Sequence, residues 1–184
     1  MGGVNFYARK EIKDLLCYLK TIDNAQDDLA VKRIINVPKR GIGATTIAKV
    51  QDYADENGMS FYAALRQAEE ISTLSKATAT KIRPFVTFIQ MLRSKLPYIS
   101  VEQLMDEIIE DTGYVAELDA EGTDEARARI ENIDELISKI VAYEESVEQP
   151  TLSGFLEEVA LIADIDNLEE DSDYVVLMSL HSAK

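Results

Sequence analysis

Ile34-Ile35-Asn36-Val37-Pro38-Lys39-Arg40-Gly41-Ile42-Gly43-Ala44-Thr45-Thr46-Ile47-Ala48-Lys49-Val50 is the stretch on which the reading of this chain turns. An apolar run ends at Pro38, whose ring cannot continue a helix interior. Lys39 and Arg40 follow, then Gly41-Ile42-Gly43, and a new apolar pattern begins at Ile47, Ala48 and Val50. The spacing predicts two helices joined by a hairpin turn. Glycine adopts backbone shapes that a Cβ forbids and lets another chain approach closely. Ile42, set between two glycines, can plug the gap between the helices. The amides of Gly43, Ala44 and Thr45 have no acceptor within the second helix and form a natural phosphate site. Lys39, Arg40 and Lys49 add positive charge around it. The alternative is a tight helix–helix turn whose glycines serve geometry alone.

The stretch resembles a helix-hairpin-helix element, which holds a nucleic-acid backbone without reading bases. Net charge speaks against nucleic acid at first sight, being -15 over 184 residues. Its distribution reverses that inference. Residues 1–100 carry 15 Lys+Arg against 10 Asp+Glu, whereas residues 101–184 carry 4 against 24. The average therefore describes neither half. The first half can face phosphates, and the second repels them or pairs with a basic surface. At 46% apolar residues the chain can bury a sizeable core, and no apolar run approaches the roughly 20 residues that span a membrane. Cys17 is the single cysteine; it permits no internal disulfide and is expected in a reducing, cytoplasmic setting.

Outward from the hairpin the pattern is helical. Ile12, Leu15, Leu16, Leu19 and Ile22 fall at spacings of three and four, predicting a helix over about 9–22. Leu29, Val31, Ile34 and Ile35 are expected to point inward from a second helix over about 28–35. A third helix over about 44–56 stops at Gly58. Ser60 and Ser75 are candidate N-caps, and Pro84 should kink the helix after Ser75 or start a new one. Ser100 and Gln103 form a capping box, with a stop at Gly113. A short turn from Tyr114 to Leu118 precedes a long helix from Thr123 to about Val147, and another opens at Pro150-Thr151. Residues 164–173 read as an acidic loop. Gly2 to Tyr7 and Tyr174 to Leu180 read as short β-strands, one at each terminus. A helical block between two strand fragments suggests an insertion into a host sheet.

Four segments give this sequence a family resemblance. They are Gly2–Asp14 with Leu15–Leu19, Asn36–Gly43, Arg129–Leu136 and Val176–Lys184, the last similar to the start of helicase motif V. In order and spacing they resemble the UvrD/PcrA/Rep-like superfamily 1 ATP-dependent DNA helicases. The resemblance implies a mainly α fold: a multi-helix accessory 2B-like subdomain at 22–170, carrying the hairpin. Flanks at 1–21 and 171–184 would come from the interrupted RecA-like 2A domain, and the sequence is expected to be a piece excised from a longer protein. The 2B-like block would swivel about 23–28 and 164–173. The parent implied is a cytoplasmic helicase of DNA repair or replication that uses ATP and magnesium. No Gly-x-x-x-x-Gly-Lys-Ser/Thr loop occurs in this chain, so neither ATPase nor unwinding activity, and no catalytic, cofactor or metal residue, is expected of it alone.

The resemblance makes the hairpin the grip on duplex or junction DNA, without sequence preference. The expected DNA-binding residues are Lys39, Arg40, Gly41, Ile42, Gly43, Ala44, Thr45 and Lys49. Lys32 and Arg33 join them, and Lys76, Lys81 and Arg83 can extend the patch. His181, in the motif V-like segment, would approach single-stranded DNA in the whole helicase. Other expected partners are the parent's own subdomains and repair or replication proteins. Arg9, Glu11 and Asp14 lie in the first segment, where a surface network of Glu11 with Lys10 and Lys13 is the simplest reading. The competing function is a regulatory docking module that uses the acidic half.

Overall fold

The computed structural model describes residues 5–182, and side-chain burial for residues 5–169. Among these residues the chain forms nine α-helices and no strand: α1 Lys10–Asp23, α2 Asp28–Ile34, α3 Ala44–Glu56, α4 Phe61–Arg66, α5 Lys76–Lys95, α6 Val101–Thr112, α7 Tyr114–Glu121, α8 Asp124–Ser146 and α9 Leu152–Ser182. Short 3-10 turns at Phe6–Ala8 and Ala68–Glu70 complete the order.

Most of the starts are set by side-chain oxygens that accept otherwise orphaned amides. Asp27 accepts from the Ala30 amide, Ser60 from Ala63, Ser75 from Thr78 and Thr123 from Ala126. Ser100 and Gln103 close the expected capping box at α6. Gly113 ends α6 with φ +67°, a left-handed conformation that favours glycine. Helix α5 runs through Pro84 without a break. Pro84 is exposed, so the carbonyl that loses its amide partner faces solvent.

Helix α1 is the centre of the core. Ile12, Leu15, Tyr18, Leu19 and Ile22 are fully buried, and the helix packs against α2, α5, α6, α8 and α9. It shares one hydrophobic cluster with residues as distant as Phe155 and Val159. The turn from α1 to α2, one of the expected swivel points, is closed by local hydrogen bonds. The Asp27 amide donates to the Asn24 carbonyl at 3.2 Å, the Gln26 amide donates to Asn24 Oδ1 at 3.1 Å, and Ala25 is buried.

Both expected strands are corrected as far as the described residues reach. At the N-terminus Phe6–Ala8 is a 3-10 turn, while Gly2 to Val4 lie outside the described residues. At the C-terminus α9 continues through Ser182, so the acidic stretch 164–173 and the run Tyr174–Leu180 are helical. A short apolar run does not distinguish strand from buried helix by periodicity. Residues 164–182 contain neither Gly nor Pro, and a helix satisfies its own backbone where no strand lies alongside. Leu29 is a second correction: it is 82% exposed, sharing a helix face with the exposed Arg33 four residues on.

Candidate nucleic-acid interface

The connection from α2 to α3 is held by three side chains. Ile42 is 1% exposed and inserts into the core. Asn36 ties the turn to itself: its Oδ1 accepts from the Ile42 amide at 3.0 Å and the Arg40 amide at 3.4 Å, and its Nδ2 donates to the Ile42 carbonyl. Arg40 folds back over the end of α2. Its Nη1 donates to the carbonyls of Ile34 and Ile35 at 2.8 and 2.9 Å, and its Nη2 donates to the Tyr18 hydroxyl at 2.8 Å. A cation against the last carbonyls of a helix satisfies orphaned acceptors and complements the dipole. The same guanidinium lies 4.9 Å from the centre of the Phe85 ring. Tyr18 donates in turn to the Val37 carbonyl, across the cis Val37–Pro38 bond. Burial pushes its hydroxyl pKa up, with Arg40 opposing.

With these residues turned in, others are turned out. Lys39, Gly41, Gly43, Ala44, Thr45 and Lys49 are all exposed. Gly41 has φ +74°, and a Cβ on it would sit 3.7 Å from Lys81 Nζ. A Cβ on Gly43 would meet open space. Gly43 begins α3 with no side-chain cap, leaving the first amides of a 13-residue helix for an outside acceptor.

The structure therefore divides the expected basic group. Lys39 and Lys49 are exposed, and among the described residues neither joins an ion pair. Arg40 is spent on α2, Lys32 lies 5.2 Å over the Phe61 ring, Arg33 pairs with Asp14 at 2.9 Å, and Arg83 pairs with Glu69. Sequence reasoning missed Tyr18 and Asn36 as parts of the hairpin. Asn36 sits inside the motif, and a short amide side chain ahead of a proline is a turn signal. Tyr18, on α1 and 19 residues before the Val37 carbonyl it meets, carried no local mark. His181 falls in the last turn of α9, and its side chain is not among those described.

A second polar cluster lies beside the hairpin, and here the surface network expected for Glu11 is corrected. Glu11 and Asp14 are 4% and 2% exposed. Glu11 Oε1 accepts from Asn132 Nδ2 at 2.7 Å, and Arg9 donates to Asn132 Oδ1. Asp14 accepts from Arg33 and, at 2.7 Å, from the Tyr114 hydroxyl. Burial and then the Asp14 hydrogen bond push the Tyr114 pKa far above its ordinary value. The cause of the correction is tertiary: α7 and α8, from the far half of the chain, cover this face of α1. A cleft of about 190 Å³ separates the cluster from the hairpin and is lined by Lys10, Asn36, Lys39, Tyr114 and Arg129 among others. Three of the four segments singled out in the sequence meet here: α1, the hairpin and the start of α8.

These features define a mainly helical module built on a buried α1, with an exposed glycine turn between α2 and α3. The chain belongs to the UvrD-like helicase C-terminal domain family, which it matches over residues 1–184. It is 45% identical over its whole length to the ATP-dependent DNA helicase PcrA of Bacillus subtilis (strain 168), covering 26% of that protein. It is 44% identical over its whole length to PcrA of Staphylococcus aureus (strain Mu50 / ATCC 700699), covering 25%, and 42% to PcrA of Staphylococcus epidermidis. The chain thus spans about a quarter of the length of these relatives, and the resemblance to UvrD/PcrA helicases is borne out. No helix among the described residues is long and apolar enough to cross a membrane.

Proposed function

We propose that this chain is the 2B-like accessory module of an ATP-dependent DNA helicase, and that its α2–α3 hairpin grips the backbone of duplex or junction DNA without reading sequence. One observation carries the reading. Ile42 anchors the hairpin in the core while Gly41, Gly43 and the uncapped start of α3 face solvent beside Lys39. Small residues admit a phosphate, backbone amides donate to it, and the lysine neutralises it. Contacts of this kind position a protein on DNA and carry no base information. ATP and magnesium would serve other parts of the parent, which works in the cytoplasm. The described residues offer neither a phosphate loop nor a cluster of metal-ligating side chains.

The test is fluorescence anisotropy of a labelled duplex with a single-stranded tail, titrated at several salt concentrations. Affinity should fall steeply with salt, be indifferent to sequence, and drop for Lys39→Ala/Lys49→Ala with an unchanged melting temperature. Absence of binding at low salt by the folded chain would contradict the reading.

A second reading has its own observation. Past Val159, α9 leaves the core and exposes Leu161, Ile162, Ile165 and Leu168, interleaved with Asp164, Asp166 and Glu169. An acidic, apolar helix face suits a basic partner surface, which would make the acidic half a regulatory docking site. Loss of partner binding on reversal of those acids, with DNA binding intact, would support it.

A further inference from the structure

We infer that the backbone-binding surface takes a cation from outside the hairpin, Lys81 of α5, and that Arg40 is a positioning residue that never touches phosphate. The inference rests on the duplex-binding reading and specifies which side chains carry it. Lys81 is remote in sequence, but α5 packs on α1 and sets its side chain against Gly41, where a Cβ would lie 3.7 Å from both Cδ and Nζ. Lys81 is exposed, and among the described residues no carboxylate pairs with it. Its ammonium therefore flanks the point at which the chain lacks a side chain and a phosphate can come closest. Arg40 is the opposite case. Four acceptors occupy its guanidinium: the carbonyls of Ile34, Ile35 and Val37, and the Tyr18 hydroxyl. Phe85 covers its face. Turning it outward would leave the end of α2 and the Tyr18 hydroxyl without this donor.

Salt dependence separates the two roles, because each phosphate contact adds about 0.9 to the slope of log affinity against log salt. The whole chain would be titrated against a labelled duplex as wild type, Lys81→Ala, Lys39→Ala, Arg40→Ala and Arg40→Lys, with thermal melts alongside. Lys81→Ala and Lys39→Ala should each weaken binding roughly threefold to tenfold, flatten the slope by about 1, and leave the melting temperature unchanged. Arg40→Ala and Arg40→Lys should both lower the melting temperature and weaken binding with the slope unchanged, since a lysine cannot reproduce the planar fork. Full affinity in Lys81→Ala, with Lys39→Ala weakened, would overturn the Lys81 assignment while leaving the hairpin reading intact. A flattened slope and unchanged melting temperature in Arg40→Ala, rescued by Arg40→Lys, would overturn the positioning role. Absence of binding by the folded wild type would remove the underlying reading itself.

Discussion

Lys39 and Arg40 are adjacent, carry the same charge and do opposite work. The lysine is exposed, while the arginine is folded over the carbonyls of α2. Geometry explains the division, because a planar guanidinium serves several acceptors at once and a lysine is a single flexible charge. Tyr114 shows the same dependence on surroundings. Its hydroxyl is half-buried and donates to Asp14 at 2.7 Å. Desolvation, then that hydrogen bond, raise its pKa. The sign of the consequence is fixed: above about pH 10 the unfolded chain releases this proton while the folded chain keeps it. Folding stability is therefore constant in this respect below about pH 10 and declines as pH rises beyond it. Urea unfolding from neutral to strongly alkaline pH should show that decline, and Tyr114→Phe should make it shallower. An equal slope in the variant would mean that Tyr114 ionises freely in the folded protein.

Among the elements, α6 is held at its start from two sides. Ser100 and Gln103 form the local box, and Glu144 from α8 accepts the Val101 and Glu102 amides, both at 3.0 Å. Glu144→Ala should cost about 1–2 kcal/mol in urea unfolding and Glu144→Gln less, since an amide oxygen still accepts one bond. A null effect of both would show that water replaces the carboxylate. This contrast marks what can be read from sequence. The Ser100 box was legible because its partners lie three residues apart, as were the starts at Ser60, Ser75 and Thr123. Glu144, 43 residues from the Val101 amide it accepts, was not. The same separation hid the burial of Glu11 and Asp14, whose partners Asn132 and Tyr114 come from the acidic half. Within the candidate interface, the glycines and Ile42 were legible, because turn chemistry is local. The inward turn of Arg40 was not, because Tyr18 and Phe85 come from other helices. At the C-terminus the apolar run 174–180 carried no period to separate strand from helix, and α9 absorbed it.

At the scale of the molecule, α1 joins the basic first half to the acidic second. It meets α2 and α5 of the first half and α6, α8 and α9 of the second, so a strongly polar chain still closes on one core. The hairpin depends on that arrangement, since Tyr18 of α1 and Phe85 of α5 fix Arg40 from below. The central claim is that DNA meets the backbone of the hairpin itself. A 1H–15N correlation spectrum of the chain, titrated with a short unlabelled duplex at low salt, tests it amide by amide. The account predicts that the largest shifts fall on Gly41, Gly43, Ala44 and Thr45, with α6 to α8 unmoved. Shifts confined to other helices, with those four amides unchanged, would contradict it.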